Sequence, residues 1–498
     1  MKTNHKLIAF AVALSLAAGC KNFLDVPPQG QQTPTDFFSG NPNAATSLVN
    51  AIYAKMLDWN FHSFSWNGVS SITSDDADKG SSPGDTGADK DQMDNLTFTS
   101  TSLSFNEVWV GHYEAIARAN QALTNLPTLT IGDTLKNRLV GEASFLRAYF
   151  YFNLVRSFGG VPLVTRVVDP TNQTDIQAGR TRATREQVYA QIEQDLQTAI
   201  ASLPEKSQYG AADLGRATKG AAKALLAKVS MYQKKWNVVG QLTDEIIASG
   251  QYALLPNYTE LWRESAENGA ESIFEIQGSG QTPNRGVQGY FESQGARGDG
   301  GWGWGFNTPS AALDSAYEAG DTRRAGTIMY RGTTLWDGQV VSPNAENPRY
   351  NLKAYVSRTK ETYNGNNWET NKNIRVLRYA EVLLMNAEAA NELGQSAKAL
   401  TALNQVRARA RGGVATVLPN VTTTAQTALR EAIWRERRVE LAFEHDRWFD
   451  LVRQGTDRAV AAFRAQGKTF VPGKHELFPI PQTQIQLSGG SLSQNPGY

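Results

Sequence analysis

Arg378-Tyr-Ala-Glu-Val-Leu-Leu-Met-Asn-Ala-Glu-Ala-Ala-Asn-Glu-Leu393 is the stretch on which the fold turns. Strong helix formers run through it, Gly394 stops it, and a second helical pattern follows from Ala397 to Arg411. The same design stands earlier, where Ala221-Ala-Lys-Ala-Leu-Leu-Ala-Lys-Val-Ser-Met-Tyr232 leads through a polar turn into Trp236 to Ala248. Laid over one another, Ala227 falls on Ala387, Trp236 on Ser396 and Val239 on Ala399. Small residues at matching places let paired helices approach closely, which is the logic of tetratricopeptide repeats. The aromatic-rich repeat consensus is largely absent, so unrelated helical hairpins stay open as the alternative on pattern alone.

Further helices are expected over Asn43 to Tyr53, Glu107 to Leu126 and Arg138 to Phe158, the last stopped by Gly159-Gly160 before Val161-Pro162. A helix from Thr427 to Arg453 is dense in Arg and Glu at spacings of three and four, and reads as a solvated face of ion pairs. His445 falls within it, and a surface ion-pair role is expected there. Asp58 to Ser104 and Gly269 to Asn373 differ in kind, rich in Gly, Asn, Ser, Asp and aromatics. Only Glu271 to Gln277 alternates there like a strand, and loops this long are usually functional.

The chain has 498 residues, 41% hydrophobic and 19% charged, ordinary globular composition with enough apolar residues for a sizeable core. A net charge of +1 gives no basic patch for nucleic acid. Met1 to Lys6 supplies positive charge and Leu7 to Ala18 a short apolar run, below the roughly 20 residues of a membrane-spanning helix. Ala17-Ala18-Gly19 directly precede Cys20, the only cysteine, in an order that resembles a bacterial lipoprotein signal with Cys20 lipidated. Leu16 lies one place further upstream than in the commonest form, and an ordinary signal peptide with an incidental cysteine is the alternative. Val26 to Pro34 reads as an extended tether.

Five segments stand out in order: Cys20 to Pro28 with Thr35-Asp-Phe-Phe38, Trp109 to Asn120 (WVGHYEAIARAN), Arg147 to Leu163 (RAYFYFNLVRSFGGVPL), Glu440 to Gly455 (ELAFEHDRWFDLVRQG), and Leu477 to Pro481 with Gln494 to Tyr498. Together they resemble the mature N-terminus, three internal segments and the terminal signature of the SusD/RagB family of nutrient-binding outer-membrane lipoproteins, with Gln484 where Glu is expected. The resemblance implies a mainly α fold, about four tetratricopeptide-like helix pairs against an irregular, loop-rich ligand-binding half with little β. It implies a cell-surface protein, lipid-anchored in the outer membrane, that captures an oligosaccharide or a peptide and delivers it to a TonB-dependent β-barrel transporter. The expected layout is a leader over 1–19, a lipidated tether over 20–36, and an N-terminal region with helix pairs over 37–250. A loop-rich ligand-binding region over 251–372 and a C-terminal region over 373–498 follow.

Ligand candidates come from the loops, because aromatic faces stack on the C–H-rich faces of sugars. Trp302 and Trp304 in Gly300-Gly-Trp-Gly-Trp-Gly-Phe306 are flanked by glycines expected to bend the backbone and expose both rings. Tyr290, Phe291, Trp336, Trp368, Trp59 and Trp66 are further candidates, each with the competing role of a local core plug. Asp75 and Asp76 are expected to accept hydrogen bonds from ligand hydroxyls, and with Asp78 offer oxygens to a structural Ca²⁺. The closing Glu of a calcium loop is missing, and Asx turns are the alternative. No cofactor or catalytic residue is expected: the His are scattered, and no HExxH, GxSxG or phosphate loop occurs. A helical-repeat scaffold for envelope assembly is the competing function.

Overall fold

The structure is a computed structural model that describes residues 42–85, 87–280, 288–363 and 370–498. Cys20 with its leader and tether, and Trp368, lie outside the described residues. The long helices are α1 (Pro42–Lys55), α2 (Leu103–Asn125), α3 (Asp133–Phe158), α4 (Arg185–Ser202), α5 (Lys219–Tyr232) and α6 (Trp236–Ala248). After a seven-residue α7 (Gln288–Gln294) come α8 (Tyr379–Glu392), α9 (Ser396–Ala410), α10 (Gln426–Glu440) and α11 (Arg447–Gln454), with further short helices such as Gly87–Asn95 and Thr456–Arg464.

α3 is buried on every side from Gly141 to Phe158, because α2, α4 and α5 pack around it. Its Arg147 is buried too, and grips Asp195 of α4 with two bonds of 2.8 and 2.7 Å while Nη1 donates to Asn120 of α2 at 2.9 Å. One guanidinium thereby fixes three helices, as the bidentate geometry of arginine allows. α3 ends at Gly159, whose φ of +75° suits glycine. α4 starts on a Thr184/Gln187 capping box. It is not among the helices expected above, although Val188, Ile192 and Leu196 repeat every fourth residue and are buried.

The α5–α6 and α8–α9 pairs form as expected, with Ala224, Ala227, Ala387 and Ala399 buried at the close approaches. Asn386 of α8 donates to Thr243 and Asp244 of α6, both at 2.9 Å, and joins the two pairs. The mainly α, repeat-built fold is the one the sequence implied.

The expected helix over 427–453 is two helices. Phe443 and His445 take φ values of +63° and +68° between α10 and α11. His445 is buried, with Nδ1 2.7 Å from Ser70 Oγ and Nε2 3.2 Å from Tyr290 OH, so tertiary hydrogen bonds override helix propensity there. It is no surface group: burial pulls its imidazole down to about 3.

Nor is the charge run of α10 a solvated face. Glu436, Arg437 and Glu440 are buried. Arg378 Nη1 donates to Glu440 Oε1 at 2.6 Å, Arg323 Nη1 meets Oε2 at 3.0 Å, and Arg409 also reaches Oε1. Burial works to raise the Glu440 carboxyl, but Arg409, Arg378 and Arg323 outweigh it and hold the group far below the usual carboxylate range. Arg378 closes the strand Ile374–Arg378, so this cluster welds the helices to the loop-built half.

Among its described residues that half contains three two-stranded antiparallel ladders. β1 (Ala77–Gly80) pairs β3 (Phe306–Pro309), β2 (Ser272–Ile276) pairs β6 (Ile374–Arg378), and β4 (Ile328–Tyr330) pairs β5 (Arg349–Asn351). Only β2 is foreshadowed by alternation in the sequence.

Candidate functional site

The β1–β3 register sets Ala77 opposite Pro309 and Gly80 opposite Phe306, which draws the loop after α1 against the glycine-rich run after α7. That run is pinned to the end of α7: Trp304 N–H donates to Glu292 O and Gly305 N–H to Gly295 O, both at 2.9 Å. The approach is too close for side chains. A Cβ on Gly303 would lie 2.4 Å from Glu292 O and 2.5 Å from Gly295 Cα. From β1's side, Ser81 Oγ donates to Trp304 O at 2.7 Å and to Asp85 at 2.6 Å.

These bonds fix the Trp304 indole beside Trp59, ring centres 5.9 Å apart and tilted by 46°. Both stand on Phe64, at 5.8 Å from Trp304 and 6.2 Å from Trp59, and Phe64 in turn meets Phe306 at 4.7 Å. Gly289 lies under Trp59, where a Cβ would come within 2.5 Å of the ring. Trp59 is 40% exposed and Trp304 half-buried, so the pair is an aromatic shelf with its underside packed and part of its surface at solvent. Arg297, paired with Asp85 at 2.5 Å and packed beside Gly305, puts a charged, hydrogen-bonding group next to it.

The glycines do not expose both rings as expected. Trp302 is 8% exposed and turns inward onto Tyr355, ring centres 5.4 Å apart, because its N–H is held by Ala296 O at 2.8 Å. Tyr290 and Phe291 are buried edge-to-face beneath the site at 5.0 Å. Trp66 is fully buried, stacked on Phe449 at 6.2 Å. Trp336 is 43% exposed on the hairpin after β4, its ring covered on one face by the Arg263 guanidinium at 3.8 Å. Trp59 and Trp336 are the two most exposed tryptophans among the described residues.

Asp75 and Asp76 are buried and already committed to cations. Arg447 takes both Asp75 oxygens at 2.6 and 2.7 Å, and Arg438 reaches Asp76 at 2.7 Å. Burial opposes both charges. At Asp75 the two arginines win and hold the carboxyl at about 2, whereas at Asp76 burial, aided by the Asp75 charge, leaves it raised. Among the described residues no group of three His, Cys, Asp or Glu is arranged to hold a metal ion. Phe64, Phe306 and Arg297 are the site neighbours that sequence reading does not single out; a lone Phe carries no signal of which side of a loop it supports.

These elements define a class: a tetratricopeptide-like helical scaffold carrying an irregular face with an aromatic shelf. Residues 270–498 match the model of the "SusD family", and residues 22–231 match one described as "Starch-binding associating with outer membrane". SusD-like protein P2 of Formosa agariphila is 30% identical over 516 residues, covering 99% of each chain. Among solved structures, a laminarin-binding SusD-like protein is 31% identical with a TM-score of 0.76, over 92% of this chain and 99% of that one. Surface glycan-binding protein A from Bacteroides fluxus is 26% identical with a TM-score of 0.76, over 92% and 100%. The chain belongs to the SusD family. Among the described residues no helix is long and apolar enough to cross a membrane.

Proposed function

We propose that this protein captures an oligosaccharide at the Trp59–Trp304 shelf and passes it to a TonB-dependent β-barrel, held to the outer membrane by lipid on Cys20. The observation that carries the reading is the exposed Trp59 indole set beside Trp304 at a tilt of 46°, both packed on Phe64. Two such faces suit successive rings of a curved sugar chain, while Arg297, Asp85 and Ser81 lie close enough to serve its hydroxyls. Relatives named for laminarin and surface-glycan binding, 31% and 26% identical, support the ligand class. In this reading Trp302, Tyr290, Phe291 and Trp66 are core residues and do not touch the ligand. Trp336 extends the face, and Asp75 and Asp76 lock the loop that carries Trp59. The protein binds and does no chemistry on its ligand.

Calorimetric titration with laminarin, starch and other glycans tests it. Trp59→Ala and Trp304→Ala should each cost about 2 kcal/mol, or roughly 30-fold in affinity, as central aromatic contacts do. Unchanged affinity in both variants places the ligand elsewhere. Co-purification of a barrel with the tagged protein from gently solubilised membranes tests delivery.

A further inference from the structure

A cavity of about 620 Å³ lies in the helical half, away from the shelf. It sits where the end of α5 and the start of α6 meet α8, α10 and α11, and its volume is in the roughly 300–1,000 Å³ range of small-ligand sites. Two tryptophans from different helix pairs line it, Trp236 at the start of α6 and Trp434 on α10, both half-buried. Trp434 Nε1 donates to Glu388 at 2.9 Å, which fixes its ring.

The charges of the wall are mostly matched to one another. Glu388 takes Arg453 at 2.6 and 2.9 Å, and Glu392 takes Arg430 at 2.5 and 2.7 Å. Unmatched buried atoms of the lining include Arg156 Nε and the Tyr232 hydroxyl. Gln454 has both amide atoms buried without a partner, and so has Glu476 Oε2, whose other oxygen accepts from Thr456 at 2.9 Å. An unpaired buried polar atom is costly, and a bound ligand is one of its standing explanations. The last torsion of glutamine is broad, so the amide can turn either atom to the cavity. Glu388 and Glu392 are neutralised by Arg453 and Arg430, and Arg185 and Lys234 are exposed to solvent, so the inner wall suits a neutral polar ligand.

We propose that this cavity is a second ligand site, for a short neutral oligosaccharide, with the Trp236 and Trp434 indoles, the Gln454 amide and the Glu476 carboxylate in its wall. A hydroxyl both donates and accepts, and so serves the amide nitrogen, the amide oxygen and the carboxylate alike. The proposal does not rest on the shelf.

The test uses the full chain labelled with 5-fluorotryptophan, with the Trp59, Trp304, Trp236 and Trp434 signals assigned by single Trp→Phe variants. Laminaritriose, maltotriose, cellotriose and xylotriose are the probes. The expected result is a saturable shift of the Trp236 and Trp434 signals with at least one trisaccharide, retained when Trp59 and Trp304 are both Ala. Gln454→Ala, which removes little apolar packing, should weaken that second binding about tenfold. Three outcomes overturn the proposal: no movement of these two signals with any probe, movement that disappears with the shelf, or movement with inorganic phosphate and no sugar. Failure of the shelf reading is separate, and shows as Trp59 and Trp304 signals that stay still.

Discussion

Changing Glu440 to Gln removes one negative charge and little volume from a fully buried site. Three guanidinia then face a neutral amide: Arg378, which stood at 2.6 Å, Arg323 at 3.0 Å, and Arg409. Removing one partner of a buried ion pair typically costs ~3–5 kcal/mol, because the other charge is left uncompensated. Here each guanidinium keeps a second carboxylate: Arg378 has Glu271 at 2.9 Å, Arg409 has the same Glu271 at 3.0 Å, and Arg323 has Asp321 at 2.7 Å. That places the cost near the low end, about 3 kcal/mol. Urea denaturation followed by tryptophan fluorescence reads it, with the wild type measured alongside at neutral pH. Because the cluster joins β6 and α10, the variant should also loosen the loop-built half, seen as faster amide exchange in β2 and β6. A loss below about 1 kcal/mol would show that the cluster behaves like an exposed pair, and the argument from burial fails.

Glycine 303 offers a second test. Gly303→Ala drives a methyl into Glu292 O, 2.4 Å from the Cβ position, so the Trp304 run should lift off α7, and glycan affinity should fall with helix content kept. Native affinity in that variant would contradict the packed-backbone account of the shelf. His445 gives a pH prediction. Its folded value of about 3 lies below the unfolded value near 6.5, so its stability is whole above pH 6.5 and drains as pH falls toward 3. Relative to wild type, His445→Gln should flatten the stability profile by about 1.4 kcal/mol per pH unit over that window, and parallel profiles would refute the buried neutral imidazole. Cys20→Ser should move the protein from the membrane to the soluble fraction, and retention in the membrane would rule out the lipid tether.

The helix pairs were legible because their signal is local. Alanines at Ala227 and Ala387 and the stop at Gly394 act within a turn or two of their own position. The family was legible in longer motifs, of which Arg147 is the clearest, since its three partners Asp195, Asn120 and Thr165 explain why an arginine sits in the buried part of its helix. The α10 charges were misread for the opposite reason. Glu and Arg spaced by three and four suit pairing along a helix surface, but here the partners are Arg323, Arg378 and Arg409, supplied by other elements. The glycine-rich run shows the same limit at short range. Trp302 and Trp304 have identical flanks, and what turns one inward and leaves the other half-open is which carbonyl of α7 and Ala296 each N–H meets. Hydrogen bonds between distant segments carry no period in the sequence.

Asp75 and Asp76 follow Trp59 closely, yet the arginines that hold them lie 372 and 362 residues further along the chain. During synthesis or export, the first part of the molecule therefore carries two carboxylates that cannot be buried until Arg438 and Arg447 arrive. A chain that stops short of α10 has no cation for them, and its early loop must stay open to solvent and to proteases. The ion pairs thus couple the loop before β1 to α10 and α11, and that loop cannot close until both helices have been made.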